Sequence, residues 1–154
     1  MFIIMRIGAP LIMRTDITIR LVRSWNEHEI ADLYRAGGWW KEEYRESEIP
    51  ALIRGSFLFA VAIHETSGRA IGMGRVISDG VSDAYIQDLV VLPSCRGSGV
   101  GKQLVQALVT RCRNEGISWI GLVAEPATEE FYRPLGFTPM TGHVPLLFRE
   151  DSLC

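Results

Sequence analysis

Apolar and polar residues alternate along Ile17 to Arg23, "ITIRLVR", and the apolar places are largely β-branched, which predicts a strand with one face buried. Asn26 is placed to cap a helix over Glu27 to Ala36, and Gly37-Gly38 end it. The next stretch, "WWKEEYRESEIPALIRG", has a polar helical pattern interrupted by Pro50 and reads as one broken helix or two short ones. Three strand-like runs follow at residues 57–64, 70–78 and 84–92, joined by "ETSGR" and "DGVSD". Connections this short permit antiparallel neighbours only, since a parallel pair needs a long crossover.

Beyond Gly101 the apolar positions Leu104, Val105, Leu108, Val109 and Cys112 recur at helical spacing until Gly116. "ISWIGLVA" (117–124) predicts a short buried strand. Pro126 suits a first helical turn, "ATEEFYRPL" predicts a brief helix closed by Gly136, and "HVPLLFR" (143–149) predicts a final strand. The order describes one mixed α/β layered domain. Its start, "MFIIMRIGAPLIM", is broken by Arg6, Gly8 and Pro10 and is too short to span a bilayer, so residues 1–14 read as a loosely attached extension.

Composition narrows the functional classes. The chain has 154 residues, 22% of them charged, with a net charge of -2. The basic excess that a nucleic-acid partner requires is missing. Cys95, Cys112 and Cys154 are odd in number and widely spaced, consistent with a reduced cytoplasmic compartment. His28, His64 and His143 form no metal-binding constellation by spacing, and no metal or membrane partner is expected.

The chemistry concentrates at "RGSGVGK", Arg96 to Lys102, between an apolar run and a helix. A dinucleotide fingerprint starting at Gly97 would need glycine at 102, which is Lys102. A P-loop would need glycine at 96 and Ser or Thr at 103, which are Arg96 and Gln103. A strand feeding a helix through small residues still leaves backbone N–H groups unpaired at the positive end of a helix dipole, a setting for an anion flanked here by Arg96 and Lys102. The alternative is that the glycines only permit a tight turn.

The run "LVVLPSCRGSGVGKQLVQALV" resembles the cofactor motif of the GNAT superfamily of acyl-CoA-dependent N-acetyltransferases, with Arg96, Gly99 and Gly101 at its defining places. "FYRPLGF" (131–137) is similar to that family's later aromatic-Tyr and Gly-Phe motif. The resemblance runs from about Ile17 to Arg149 and implies the GNAT fold: a mostly antiparallel mixed sheet of six to seven strands, splayed between strands 4 and 5 and flanked by about four helices. It implies acetyl-CoA as acyl donor, with the pantetheine arm along Leu89, Val90 and Val91. The pyrophosphate would meet Gly97, Ser98, Gly99, Val100, Gly101 and Lys102, beside Arg96.

The implied activity is acetyl transfer to a primary amine of a small molecule or peptide, by direct attack in a ternary complex; a non-catalytic acyl-CoA-binding module is the alternative. Tyr132 matches the family tyrosine that protonates the leaving thiolate. Cys95, at the mouth of the loop, reads as packed or exposed and not as a nucleophile. A backbone N–H near Leu89 or Val90 would serve the oxyanion. Strand periodicity sets Tyr85, Gln87, Leu89 and Val91 on one face and Ile86, Asp88 and Val90 on the other. Relatives use a glutamate or histidine at the places of Tyr85 or Gln87, and neither residue here is an ordinary base. Asp88 serves if a bulge turns it toward the cleft; otherwise Asp88 simply bonds to backbone or to a nearby arginine, and a water chain held by Gln87 and Tyr85 takes the proton. Glu125 replaces an asparagine that relatives use on the pantetheine amides. Trp39 and Trp40 read either as an acceptor pocket wall, with Tyr85 and Arg75 nearby, or as one core residue and one contact in a homodimer.

Overall fold

The computed structural model describes residues 16–149; the reading of residues 1–14 lies outside them. Among the described residues the strands β1 (Ile17–Leu21), β2 (Leu58–His64), β3 (Ala70–Ser78), β4 (Asp83–Val91) and β5 (Trp119–Gly121) form one sheet in sequence order. The first four pair antiparallel, as their short turns require, and β5 lies parallel to β4 after the crossover helix α3 (Val100–Asn114). Helices α1 (Glu27–Ala36) and α2 (Ile49–Gly55) cover the opposite face, and α4 (Glu129–Tyr132) follows β5.

The sheet separates two apolar cores. Leu104, Val105, Leu108 and Cys112 of α3 meet Ala60, Ile71, Val76, Ala84 and Ile86 on one face. Ile30, Leu33 and Tyr34 of α1, with Ile49 and Ile53 of α2, meet Phe59, Val61, Met73 and Val90 on the other. Asn26 caps α1 as the sequence predicts, its side chain accepting from the Glu29 amide at 3.0 Å. α3 sits close on the sheet because β3 offers no side chain there. A Cβ on Gly72 would lie 3.0 Å from the Val90 carbonyl oxygen and 3.2 Å from Leu104, and one on Gly74 would lie 3.2 Å from Leu108. Gly72→Ala is therefore expected to cost about 1–3 kcal/mol through overpacking against backbone that cannot retreat, measurable by urea denaturation.

Four sequence expectations change. "WWKEEY" forms a loop and not a helix, and Pro50 starts α2 instead of breaking one, because its fixed φ suits a first helical turn. β5 is confined to Trp119–Gly121 within the predicted 117–124. Pro126 precedes α4, separated from it by Ala127 at φ 64° and the cap residue Thr128. Residues 143–149 form no strand, so the sheet has five strands among the described residues rather than six to seven. Pro139 and Pro145 each lack an N–H, and Gly142 at φ 80° turns the chain between them.

Candidate active site: an open seam beside an aromatic cavity

β4 departs from regular pairing at one place, and this departure organises the site. Its register with β3 shifts between Met73↔Val90 and Arg75↔Gln87, and Asp88 within the bulge takes φ 54°. Aspartate is among the few residues that adopt this left-handed conformation readily. The bulge switches the strand's parity: Ala84 and Ile86 face the α3 core before it, and Leu89 and Val91 do so after it, while Val90 faces α1 and α2. The uniform alternation expected from the sequence, with Leu89 and Val91 on the side of Tyr85 and Gln87, is corrected accordingly.

Pairing between β4 and β5 covers only Asp83↔Trp119, Ala84↔Ile120 and Tyr85↔Gly121. Among the described residues the outer edge of β4 has no strand partner from Ile86 to Val91, and the two strands enclose an open seam. The Tyr85 ring packs tilted against that of Trp119, centroids 5.1 Å apart, where the pairing ends. It lies apart from the aromatic cavity described below.

The seam leads to the glycine loop. Pro93–Cys95 make one 3-10 turn, Gly97 and Gly99 both lie at positive φ (79° and 85°), and Gly99 is the residue before α3. A Cβ on either glycine would meet nothing within 4 Å, so the loop borders open space. The first backbone bond of the helix runs from the Gln103 amide to the Gly99 carbonyl at 3.1 Å; the amides from Gly97 to Lys102 donate to no carbonyl among the turns and caps. These unpaired donors at the positive end of a helix suit an anion. The Ser98 hydroxyl donates to the Cys95 carbonyl at 2.6 Å, and exposed Arg96 donates through Nε to the Val91 carbonyl at 3.0 Å, tying the loop to the end of β4. Cys95 is buried beneath the turn.

The second motif docks on the first. A Cβ on Gly101 would lie 3.2 Å from Cζ of Phe131 and 3.7 Å from Cγ2 of Val91. Phe131 makes an edge contact with Tyr132, and Tyr132 packs on the same core as Leu89 and Val91. Burial, reinforced by the Glu125 carboxylate, pushes the Tyr132 hydroxyl above its ordinary pKa, so it remains a proton donor through neutral pH.

On the α1 and α2 face a cavity of about 330 Å³ opens beside the bulge. Tyr34, Trp39, Trp40 and Tyr44 wall it, Ile49 and Leu52 add apolar surface, and Arg45, Glu48, Arg75 and Asp88 supply polar groups. Both tryptophans reach the cavity because they sit on a loop; on one helix, adjacent residues could not share a face. A Cβ on Gly37 would lie 2.7 Å from the Trp39 ring, which fixes that ring against the end of α1. Asp88 Oδ2 accepts the Tyr34 hydroxyl at 2.7 Å and also Nε of Arg75. Arg75 donates a second bond to Gln87 Oε1 at 3.1 Å. Arg75 thus engages protein groups on two sides, and Gln87 joins the same network.

The structure therefore brings Asp88, Arg75, Trp39 and Trp40 to one cavity and the residues from Leu89 to Lys102 to the adjoining seam. Tyr34, Arg45 and Glu48 were not singled out in the sequence. Tyr34 sits on the apolar stripe of α1 beside Ile30 and Leu33, where its pattern signals core and nothing in it signals a polar partner on β4. Among the described residues no group of three or more His, Cys, Asp and Glu is placed to hold a metal ion.

The family model described as "Acetyltransferase (GNAT) family" matches residues 21–137. A protein of Oryza sativa subsp. japonica named "Serotonin N-acetyltransferase 2, chloroplastic" is 44% identical over 72 residues, covering 47% of this chain and 36% of the relative. The "Uncharacterized N-acetyltransferase ycf52" of Porphyra purpurea is 31% identical over 122 residues, covering 79% of this chain and 70% of the relative. The match thus spans about a third of the rice protein and over two thirds of the algal one. Among solved structures, a GNAT family acetyltransferase from Streptococcus pneumoniae TIGR4 superposes with a TM-score of 0.72 at 23% identity, covering 86% of this chain and 97% of the other. AAC(6')-Iy, solved with the bisubstrate analog CoA-S-monomethyl-acetylneamine, gives 0.68 at 19% identity, covering 87% and 97%. These two likenesses establish the fold. With the family model spanning most of the chain and both of its motifs meeting at one open seam, this protein belongs to the GNAT acetyltransferase family.

Proposed function

We propose that the protein transfers the acetyl group of acetyl-CoA to a primary amine by direct attack. The observation that carries this reading is the open edge of β4 from Ile86 to Val91 running into the unpaired amides of the Gly97–Lys102 loop. An extended pantetheine arm would add along Leu89, Val90 and Val91 as a further strand does. The pyrophosphate would be held by the amides from Gly97 to Lys102, including Ser98 and Val100, with the charges of Arg96 and Lys102 nearby. The bound cofactor supplies an activated acetyl thioester.

The protein's own groups do the rest. A backbone N–H near Leu89 or Val90 polarises the acyl oxygen. Asp88, with Gln87 and Arg75 in its network, receives the amine proton directly or through water. Tyr132 donates to the departing sulfur. The walls of Trp39, Trp40 and Tyr44 favour an acceptor with a flat apolar body. A cavity of about 330 Å³ stands at the small end of ligand sites, which run from about 300 to 1,000 Å³, so a small-molecule amine fits better than a folded protein. Tyr85, packed against Trp119, would act on substrate only from the far end of the seam. An amine is also common to the rice relative named for serotonin and to the neamine-derived analog bound by AAC(6')-Iy.

No helix among the described residues is long and apolar enough to cross a membrane. A reduced compartment, plastid or cytoplasm, fits the free and buried Cys95 and Cys112, and the rice relative's name carries "chloroplastic".

Incubation with acetyl-CoA and a panel of primary amines is expected to release free thiol in proportion to acetylamide formed. Tight acetyl-CoA binding with no thiol release from any amine would instead identify a non-catalytic module.

A further inference from the structure

We propose that Tyr34 is a positioning residue that aims Asp88 at the acceptor amine, an inference that rests on the acetyl-transfer reading above. Asp88 sits in a bulge with left-handed backbone, so the strand alone does not determine its direction. Its direction is set by two side chains from two other elements. The Tyr34 hydroxyl reaches Oδ2 from α1 and the Arg75 guanidinium reaches the same oxygen from β3. Among the described residues no group donates to Oδ1, and the Asp88 side chain is 24% exposed where it borders the cavity. One oxygen is clamped and the other is left free to accept a proton.

The Tyr34 ring also meets the Trp39 ring edge-on at 6.4 Å, so one buried side chain sets both the carboxylate and part of the aromatic wall. Burial foremost, and then the neighbouring Asp88 carboxylate, hold the Tyr34 hydroxyl far above its ordinary pKa. Tyr34 therefore remains a donor and leaves proton acceptance to Asp88. In the step itself an alkylammonium gives one N–H proton to Oδ1, which passes it to solvent and frees the nitrogen lone pair. The C–N bond forms, the C–S bond breaks, the thiolate leaves with the proton of Tyr132, and the second N–H proton lost from nitrogen makes good the one Tyr132 gave.

The test compares benzylamine, protonated at neutral pH, with phenylhydrazine, which is already neutral there. Tyr34→Phe keeps the ring and removes the clamp. It is expected to lower kcat/KM for benzylamine by about tenfold or more while changing phenylhydrazine by no more than about twofold, with the KM for acetyl-CoA unchanged. Asp88→Asn should show the same selectivity, and adding Tyr34→Phe to it should cost nothing further. Equal losses on both amines, or none on either, would overturn the inference, because a structural defect does not distinguish a charged amine from a neutral one. If the wild-type protein acetylates neither these two nor any other amine of the panel, the functional reading fails separately. Quenching of tryptophan emission by benzylamine then decides the role of Tyr34: about tenfold weaker binding in Tyr34→Phe supports it, and equal binding refutes it.

Discussion

Gly99→Val is expected to weaken acetyl-CoA binding by about 100-fold or more in calorimetric titration, with a much smaller change in thermal stability. Gly99 stands at φ 85° immediately before α3, a conformation that costs an L-residue about 1–2 kcal/mol, and a β-branched one more. Relief of that strain would rotate the peptide planes on either side and turn the amides of Val100 and Gly101 away from a shared anion. Loss of two hydrogen bonds to a charged group, at about 1.5–3 kcal/mol each, accounts for the factor. A Cβ at Gly99 meets no protein atom within 4 Å, so the folded core is little disturbed. Gly101→Leu should give a similar loss by another route. Its side chain would press on Phe131, already 3.2 Å from the first added carbon, and force apart the two motifs that meet there. Affinity unchanged in both variants would remove the glycine loop from the cofactor site.

Tyr132→Phe is expected to lower kcat by about 10²–10⁴-fold while acetyl-CoA affinity stays within about twofold. The ring would be retained, along with its contacts to Phe131 and Phe137, so the packing that frames the seam persists. Only the proton donor is lost. Burial first, then the Glu125 carboxylate, raise its pKa, so the hydroxyl stays protonated at working pH and is available to a departing thiolate. A variant with wild-type kcat would show that water or another group protonates the thiolate. A variant that loses acetyl-CoA binding as well would show that the hydroxyl serves the cofactor and not the chemistry.

The parts of this molecule that could be read from sequence are those fixed by local rules. Turns as short as "ETSGR" and "DGVSD" dictated the antiparallel order of β2, β3 and β4, and the 3.6-residue spacing of Leu104, Leu108 and Cys112 gave α3. The glycine spacing from Arg96 to Lys102 left a plain tight turn open by itself; the loop's role became legible only through the resemblance of that run and of "FYRPLGF" to two motifs of one family. What escaped was set by tertiary contacts. The bulge at Asp88 entered the sequence reading only as a condition, because it depends on how β4 meets Met73 and Arg75 of β3, which one strand's own pattern does not contain. The tryptophans entered the cavity through a loop whose polar composition imitated a helix. Tyr34 looked like core, which it is, and its hydroxyl gained a function only because the bulge brought Asp88 to it. The missing final strand shows the opposite error, in which an apolar run outweighed the prolines that interrupt it; Leu146, Leu147 and Phe148 remain largely exposed.

The central claim is that the amides at the head of α3 grip the phosphates of coenzyme A while the edge of β4 receives its arm. Backbone amide NMR of the ¹⁵N-labelled protein during titration with coenzyme A addresses this directly. The predicted result is large shifts confined to Gly97–Lys102 and to Leu89–Val91, saturating together at one stoichiometry. Saturable binding that leaves those amides unmoved and shifts others would contradict it.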